Sequence, residues 1–206
     1  MGVKSFSEFI KRYAADCYKQ VHSGEFKGKR VAIDMPGLVY SVLYYVQKDM
    51  NMRVSMYSDY PSDAEIQEAL CTSIKEKIIK LKDAGIEPVC VFDAPRNASY
   101  PVKIKTAAEI SRKNEINDKY QTAKEAFFDI PFDHRTEEGL QAYLKAASSY
   151  KRIPSGCFGI LRVALEKAGL DVREATDLPV PDAEALCAKL NREGEVDAVI
   201  TKDNDF

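Results

Sequence analysis

Two short apolar runs constrain the fold more than anything else in this chain. Val31-Ala32-Ile33 and Val89-Cys90-Val91-Phe92 have no polar residue at alternate positions, and each run is closed by an aspartate, Asp34 and Asp93. A strand with one wet face alternates apolar and polar side chains. A run that does not alternate is buried on both faces, as in a parallel sheet covered by helices. Helical patterns follow. Leu38 to Val46 reads as a helix carrying Tyr40, Tyr44 and Tyr45, and residues 49–61 read as a loop rich in Met and Tyr. Ser62 opens the next helix, with Glu65 three residues on as a capping box. Ile66, Leu70, Ile74, Ile78 and Leu81 recur at helical spacing, and Gly85 ends the run.

The remaining segments fill in around this pattern. MGVKSFSEFIKRYA reads as a short helix with Phe6, Phe9, Ile10 and Tyr13 on one face. APRNASYPVKIK is a proline-broken linker. A charged helical run follows from Thr106 to Phe128, IPFDHR interrupts it, and a second run covers Glu137 to Ser149. These two helices are polar on most faces, which suits either an insertion on top of the sheet or a solvated hairpin. Ser155 is placed to cap a helix with Phe158, Leu161 and Leu165 inward, ended by Gly169. LDVREA is a short strand, and the chain closes with a helix after Pro181 and the strand DAVIT.

Bulk properties narrow the class. No apolar run approaches the roughly 18–20 residues that span a membrane, and the N-terminus lacks a signal peptide's apolar core. The five cysteines form no CxxC pair, which suits reduced, buried thiols and an intracellular protein, and two histidines argue against a His-rich zinc site. The net charge of −2 hides an asymmetry: residues 96–124 hold seven Lys/Arg against three Asp/Glu. A basic track beside an acidic pocket is the expected arrangement.

Six carboxylates stand at related places: Asp34, Asp93, Asp182, Glu184, Asp203 and Asp205. Asp34, Asp93 and the Asp203/Asp205 pair follow apolar runs that read as parallel strands, so they reach one edge of the sheet. Asp182 and Glu184 open a helix whose dipole favours their ionised form. Such a cluster repels itself unless a cation sits within it. Mg²⁺ or Mn²⁺, hard cations that take oxygen ligands, fit that role. Taken singly, each acid has a plainer explanation: Asp182 as a helix cap, Asp34 and Asp93 as turn formers.

Five pieces carry a family resemblance, in order along the chain: MGVKSF, VAID, PVCVFD, PDAEA and ITKDND. With them the chain resembles the structure-specific 5′-nuclease superfamily, and most closely the flap endonuclease family. The resemblance implies a PIN-like α/β fold, a mostly parallel central sheet flanked by helices, with a helical arch inserted at about 95–152 in a single nuclease domain, 1–206. It implies that the six carboxylates bind two Mg²⁺ ions, with Mn²⁺ able to substitute. It places Lys105 and Arg112 as the basic pair that steers the scissile phosphate, with Lys103 the competing lysine. Tyr40 matches an aromatic that stacks on a base, and Gly2 a residue whose amine lies near the site after Met removal. The implied partners are DNA with a 5′ flap or single-stranded 5′ end and a replication clamp. The implied setting is intracellular, nuclear in a eukaryotic cell, in replication, repair or recombination.

The chain departs from the family's pattern in two places. MPG follows Asp34 where a small residue and Ser are usual, and Asp182 stands where Glu is common. The family continues past the position of Phe206 with another ligating Asp and a duplex-gripping helical element, so an N-terminal fragment is expected. Two other readings stand beside this one: a 5′→3′ exoribonuclease acting on RNA, and a catalytically silent scaffold that binds nucleic acid.

Overall fold

The computed structural model of the 206-residue chain describes Arg12 and residues 21–94, 106–176, 178 and 181–202. Among them, four parallel strands form one sheet: β1 (Arg30–Asp34), β2 (Glu87–Phe92), β3 (Asp171–Glu174) and β4 (Ala198–Ile200), in the order β3-β2-β1-β4. Six helices accompany them: α1 (Met35–Arg53), α2 (Asp63–Asp83), α3 (Ala107–Phe128), α4 (Glu137–Ser149), α5 (Cys157–Lys167) and α6 (Ala183–Arg192). The two non-alternating runs are indeed strands buried on both faces. The expected Phe6–Tyr13 helix and the linker at 95–105 lie outside the described residues. No helix among the described residues is long and apolar enough to cross a membrane. Cys71, Cys90, Cys157 and Cys187 form no disulfide, and the last three are buried.

Two local expectations shift. The helix read as Leu38 to Val46 runs from Met35 to Arg53, so the loop begins later than residue 49. Pro36 is tolerated because the first turn has no intrahelical acceptor for its missing N–H. Lys48, Met50 and Met52 are good helix formers, and Asp49 pairs with Arg53 at 2.6 Å one turn on. The helix expected to be capped at Ser155 begins at Cys157, whose N–H bonds to the Pro154 carbonyl at 3.2 Å. The expected capping box is real: Glu65 N–H donates to Ser62 Oγ at 3.2 Å, while Ser62 N–H donates to Glu65 Oε2 at 2.8 Å. Thr106 and Glu109 make the same reciprocal pair at the start of α3. Gly85, with φ of +83°, ends α2 in a conformation that a β-carbon disfavours.

The chain divides into two compact units. One comprises Met1–Ser41, Cys71–Tyr100 and Phe158–Phe206 and holds the sheet; the other comprises Val42–Leu70 and Pro101–Cys157. In the first, α6 lies on one face of the sheet. Ala183, Cys187 and Leu190, at i, i+4 and i+7, meet Ala32, Val89, Val91 and Val196. Burial of each large side chain there is worth roughly 1.5–3 kcal/mol. The other face carries Phe92, edge-on to Phe158 of α5 at 6.5 Å.

The second unit is not a solvated hairpin. Helices α3 and α4 pack against each other and against residues 54–60 around Val54, Tyr120, Phe127, Leu140, Tyr143 and Ala147. The rings interlock: Tyr120 stacks on Tyr150 at 3.9 Å, and Phe128 meets Tyr143 edge-on at 5.0 Å. Arg135, in the turn between the helices, ties this unit together. It donates to the carbonyls of Ile130, Met56, Ser58 and Phe128 at 3.3, 3.2, 2.7 and 3.2 Å.

Candidate metal centre

Parallel strands put their carboxyl ends on one edge, and in this order β1 is where the chain reverses direction across the sheet. From β1 it moves to β2 and β3 on one side, then crosses to β4 on the other. The crevice beyond β1 and β4 is therefore the topological switch point, where open α/β sheets place their sites. Asp34 closes β1 there. It is 3% exposed, the sole buried polar or charged residue among the described residues. Its Oδ1 accepts from Gly37 N–H at 3.3 Å, and its Oδ2 accepts from the Thr201 hydroxyl at 3.1 Å. A β-carbon on Gly37 would stand 2.4 Å from Asp34 Oδ2, so only glycine lets the backbone come this close.

The start of α6 brings up the next acids. Asp93, one residue past β2, is exposed and accepts from Ala183 N–H at 3.0 Å. Asp182 is the N-cap, its Oδ1 accepting from Glu184 N–H at 2.9 Å, and Glu184 occupies the first turn. Both are half-buried. The helix's positive end faces these carboxylates, which favours their ionised form. Cys187, one turn further along α6, reports on the same neighbourhood. Burial first, then the charges of Asp34, Glu184 and Asp182, push its thiol up to about 12.

The donor set is carboxylate and hydroxyl oxygen, the chemistry that hard divalent cations take. The buried Asp34, with a glycine cradle leaving its carboxylate room, fits such an ion. Among the described residues no group of three or more His, Cys, Asp or Glu is placed to hold one ion. Mg²⁺ does not require one, since it is commonly held by one or two carboxylates with waters and substrate phosphates.

The other candidates divide. Tyr40 lies on α1 in the same unit as Asp34, 54% exposed, with its ring available to stack. Arg112 is exposed on α3, in the second unit. Gly2, Lys103, Lys105, Asp203 and Asp205 lie outside the described residues. Sequence reasoning passed over Thr201, Gly37, Cys187 and the Ala183 N–H. Thr201 stands inside the segment ITKDND, directly before its acids. Gly37 stands in the MPG segment that departs from the resembled pattern, and it is the close approach to Asp34 that gives it a purpose.

Comparison with known proteins bears on the fold and the family. The XPG N-terminal domain matches residues 1–117. The chain is similar to flap endonuclease 1 of Candida tropicalis, 27% identical over 205 residues, covering 100% of this chain and 49% of that protein. It is similar to flap endonuclease 1 of Uncinocarpus reesii, 28% identical over 212 residues, covering 100% of this chain and 46% of that protein. The chain thus spans about half the length of these curated relatives. Among solved structures, the catalytic core of Rad2 in complex with DNA substrate shares the fold, with a TM-score of 0.51 and 20% identity over 99% of this chain and 46% of that one.

Proposed function

This chain belongs to the XPG N-terminal domain family, and on that premise we propose that it carries the metal-dependent centre of a structure-specific 5′-nuclease acting on DNA. The observation that carries the proposal is the buried Asp34 at the switch point of the sheet, its carboxylate oriented by Thr201 and Gly37. The curated relatives are named flap endonucleases, and the Rad2 core was solved with a DNA substrate; both support DNA as the substrate class.

Each residue has a task in this reading. Asp34, Asp93, Asp182 and Glu184, with Asp203 and Asp205, would hold two Mg²⁺ ions, Mn²⁺ substituting. When bound, such ions polarise the attacking water and stabilise the leaving oxygen of a phosphodiester. Thr201 and Gly37 fix the Asp34 carboxylate, and the Ala183 N–H fixes Asp93, so the oxygens are oriented before substrate arrives. Lys105 and Arg112, with Lys103 as the alternative lysine, steer the phosphate and offset its developing charge. Tyr40 offers its ring to a base, and Gly2 brings the N-terminal amine to the phosphate backbone. Water forms the new P–O bond, the P–O3′ bond breaks, and the product is a 5′-phosphomonoester.

The test is Asp93→Asn in the full polypeptide that the gene encodes. Asparagine keeps an acceptor for the Ala183 N–H and removes the charge. Cutting of a 5′-flap DNA in Mg²⁺ is expected to fall about a hundredfold or more, since even partners of metal ligands cost roughly 10–100-fold. Full activity in Asp93→Asn and Asp203→Ala alike overturns the proposal. Degradation of a 5′-phosphorylated RNA with DNA flaps left intact replaces it with the exoribonuclease reading.

A further inference from the structure

The unit that holds the sheet sorts its charges by end. Helices α2, α5 and α6 each lead back to the amino end of a strand, through turns at Gly85, Gly169 and Gly194. Their last turns carry Lys80, Lys82, Lys167, Lys189 and Arg192. Cations there face each helix's negative end. The carboxyl ends of the strands carry Asp34 and Asp93, with Asp182 and Glu184 at the start of α6. Lys202 is the exception. It stands two residues past the end of β4, on the acidic side, and it is exposed.

Two observations place its backbone beside the metal centre. Thr201, the residue before it, donates its hydroxyl to Asp34 Oδ2 at 3.1 Å. The Lys202 nitrogen itself lies 3.7 Å from the place that a β-carbon on Gly37 would take. The segment after β4 therefore lies against the first turn of α1. Yet the Lys202 ammonium makes no ion pair with a described acid, whereas Arg162 and Arg173 of the same unit are engaged by Glu174 and Asp171. Lysine is a compact point charge on a flexible four-carbon stem, suited to a phosphate oxygen. At a centre built to take cations, an unpaired ammonium repels them and attracts an anion. Arg112 belongs to the second unit, so Lys202 gives the sheet-bearing unit a cation of its own at the site.

We propose that Lys202 is a substrate-binding residue: its ammonium holds one phosphate of the DNA backbone at the carboxyl ends of β1 and β4. The identity of that anion rests on the nuclease reading; the placement of the lysine does not. The same charge opposes a divalent ion bound nearby. Removing it therefore acts in opposite directions on the two ligands, weakening DNA and tightening the ion. A lysine that only supported the fold would not produce that pair of changes.

The variants are Lys202→Gln, Lys202→Arg and, as a control, Lys80→Gln, an exposed charge at the opposite end of the sheet. All are made in the full polypeptide that the gene encodes. Binding of a 5′-flap DNA is followed by fluorescence anisotropy with Ca²⁺ as the ion, across a range of KCl. Lys202→Gln is expected to bind about tenfold more weakly, the scale of one charged hydrogen bond. The slope of log K against log salt is expected to become shallower by about 1, for one phosphate contact fewer. In Mg²⁺, kcat/KM for cutting should fall with it. Without DNA, calorimetric titration is expected to show Mn²⁺ bound about two- to fivefold more tightly. Lys202→Arg and Lys80→Gln should keep the parent's values. An unchanged DNA affinity and salt slope in Lys202→Gln overturn the proposal, and so does an equal loss in Lys202→Arg or Lys80→Gln. Weaker Mn²⁺ binding in Lys202→Gln overturns it too, because that marks a disturbed Asp34 rather than a lost phosphate contact. The two readings separate. If flap DNA is cut and Lys202→Gln binds it as the parent does, the lysine fails and the nuclease stands. If binding depends on Lys202 and the parent does not cut, the nuclease fails and the phosphate contact stands.

Discussion

Thr201 donates its hydroxyl proton to Oδ2 of Asp34 at 3.1 Å, joining the residue after β4 to the last residue of β1 across 167 positions of chain. The bond spans the switch point of the sheet, so pairing of β1 with β4 and orientation of the buried carboxylate are one event. Gly37 completes the arrangement from the first turn of α1, its N–H on Oδ1 and its missing β-carbon leaving space for Oδ2.

Gly37→Ala tests that space directly. The new methyl would meet Oδ2 at 2.4 Å, and the carboxylate belongs to a buried side chain with little freedom to move aside. Overpacking of this kind costs roughly 1–3 kcal/mol. The helix propensity gained by replacing glycine, up to about 1 kcal/mol, offsets part of it. Thermal unfolding is expected to show a net loss, and calorimetric titration a weaker Mn²⁺ response. A variant as stable as the parent with unchanged Mn²⁺ binding would show that Asp34 is not held where the structure has it.

What was legible in the sequence is what is local. The buried parallel strands follow from runs of three and four apolar residues, and the capping box at Ser62 from a partner three residues on. The helical run read as Glu137 to Ser149 has the bounds of α4. What was not legible depends on distant partners. The second unit's core reads as polar in part because Tyr120 and Tyr143 stand among its large residues, and Tyr60 meets Tyr120 only after the 59 positions between them are folded back. Arg135 looks like part of a helix break until residues 56–58 arrive to receive its hydrogen bonds. The carboxylates of the site were visible as a pattern at strand ends, whereas the bond by which Thr201 orients one of them spans 167 positions of chain and leaves no local pattern.

Arg135 therefore makes a sharp prediction. Its planar fork serves four carbonyls from two segments, and a lysine ammonium cannot reproduce that geometry. Arg135→Lys keeps the charge but strands buried carbonyls, at about 1.5–3 kcal/mol for each charged hydrogen bond not replaced. A loss of about 2–4 kcal/mol in urea unfolding is expected, with faster amide exchange in the second unit than in the sheet. A loss below about 0.5 kcal/mol would mean that the aromatic core alone holds the loop.

A pH dependence follows at the opposite end of the sheet. Asp171, on β3, accepts from Arg173 Nε at 2.8 Å and also from Arg30 of β1. The hydrogen bond from Arg173, reinforced by the charges of Arg173 and Arg30 and opposed by burial, holds its carboxyl below the usual range. A depressed folded value means that the native state binds fewer protons than the unfolded chain, so the contribution is present above about pH 4 and fades as pH falls through the folded value. Asp171→Asn is expected to lower the unfolding free energy measured in urea at pH 7 by about 1–2 kcal/mol. The gap should close progressively below about pH 4. A gap that stays constant down to acid pH would assign the loss to packing rather than charge.

Asp182 carries two roles that a choice of substitutions separates. Its Oδ1 caps α6 through the Glu184 N–H at 2.9 Å, and in the proposed function its carboxylate also holds an ion. Asp182→Ala removes both, with about 0.5–2 kcal/mol of stability lost through the cap alone. Serine is a good N-cap that carries no charge. Asp182→Ser should therefore unfold within about 0.5 kcal/mol of the parent while losing Mn²⁺ affinity and, in the full polypeptide, flap cutting. Serine also removes a negative charge from beside Cys187, so the thiol, held at about 12 by burial and three nearby acids, should titrate lower. That shift reports the lost charge independently of metal and activity. A serine variant whose thiol shifts but whose Mn²⁺ binding and cutting are intact would reduce Asp182 to a helix cap.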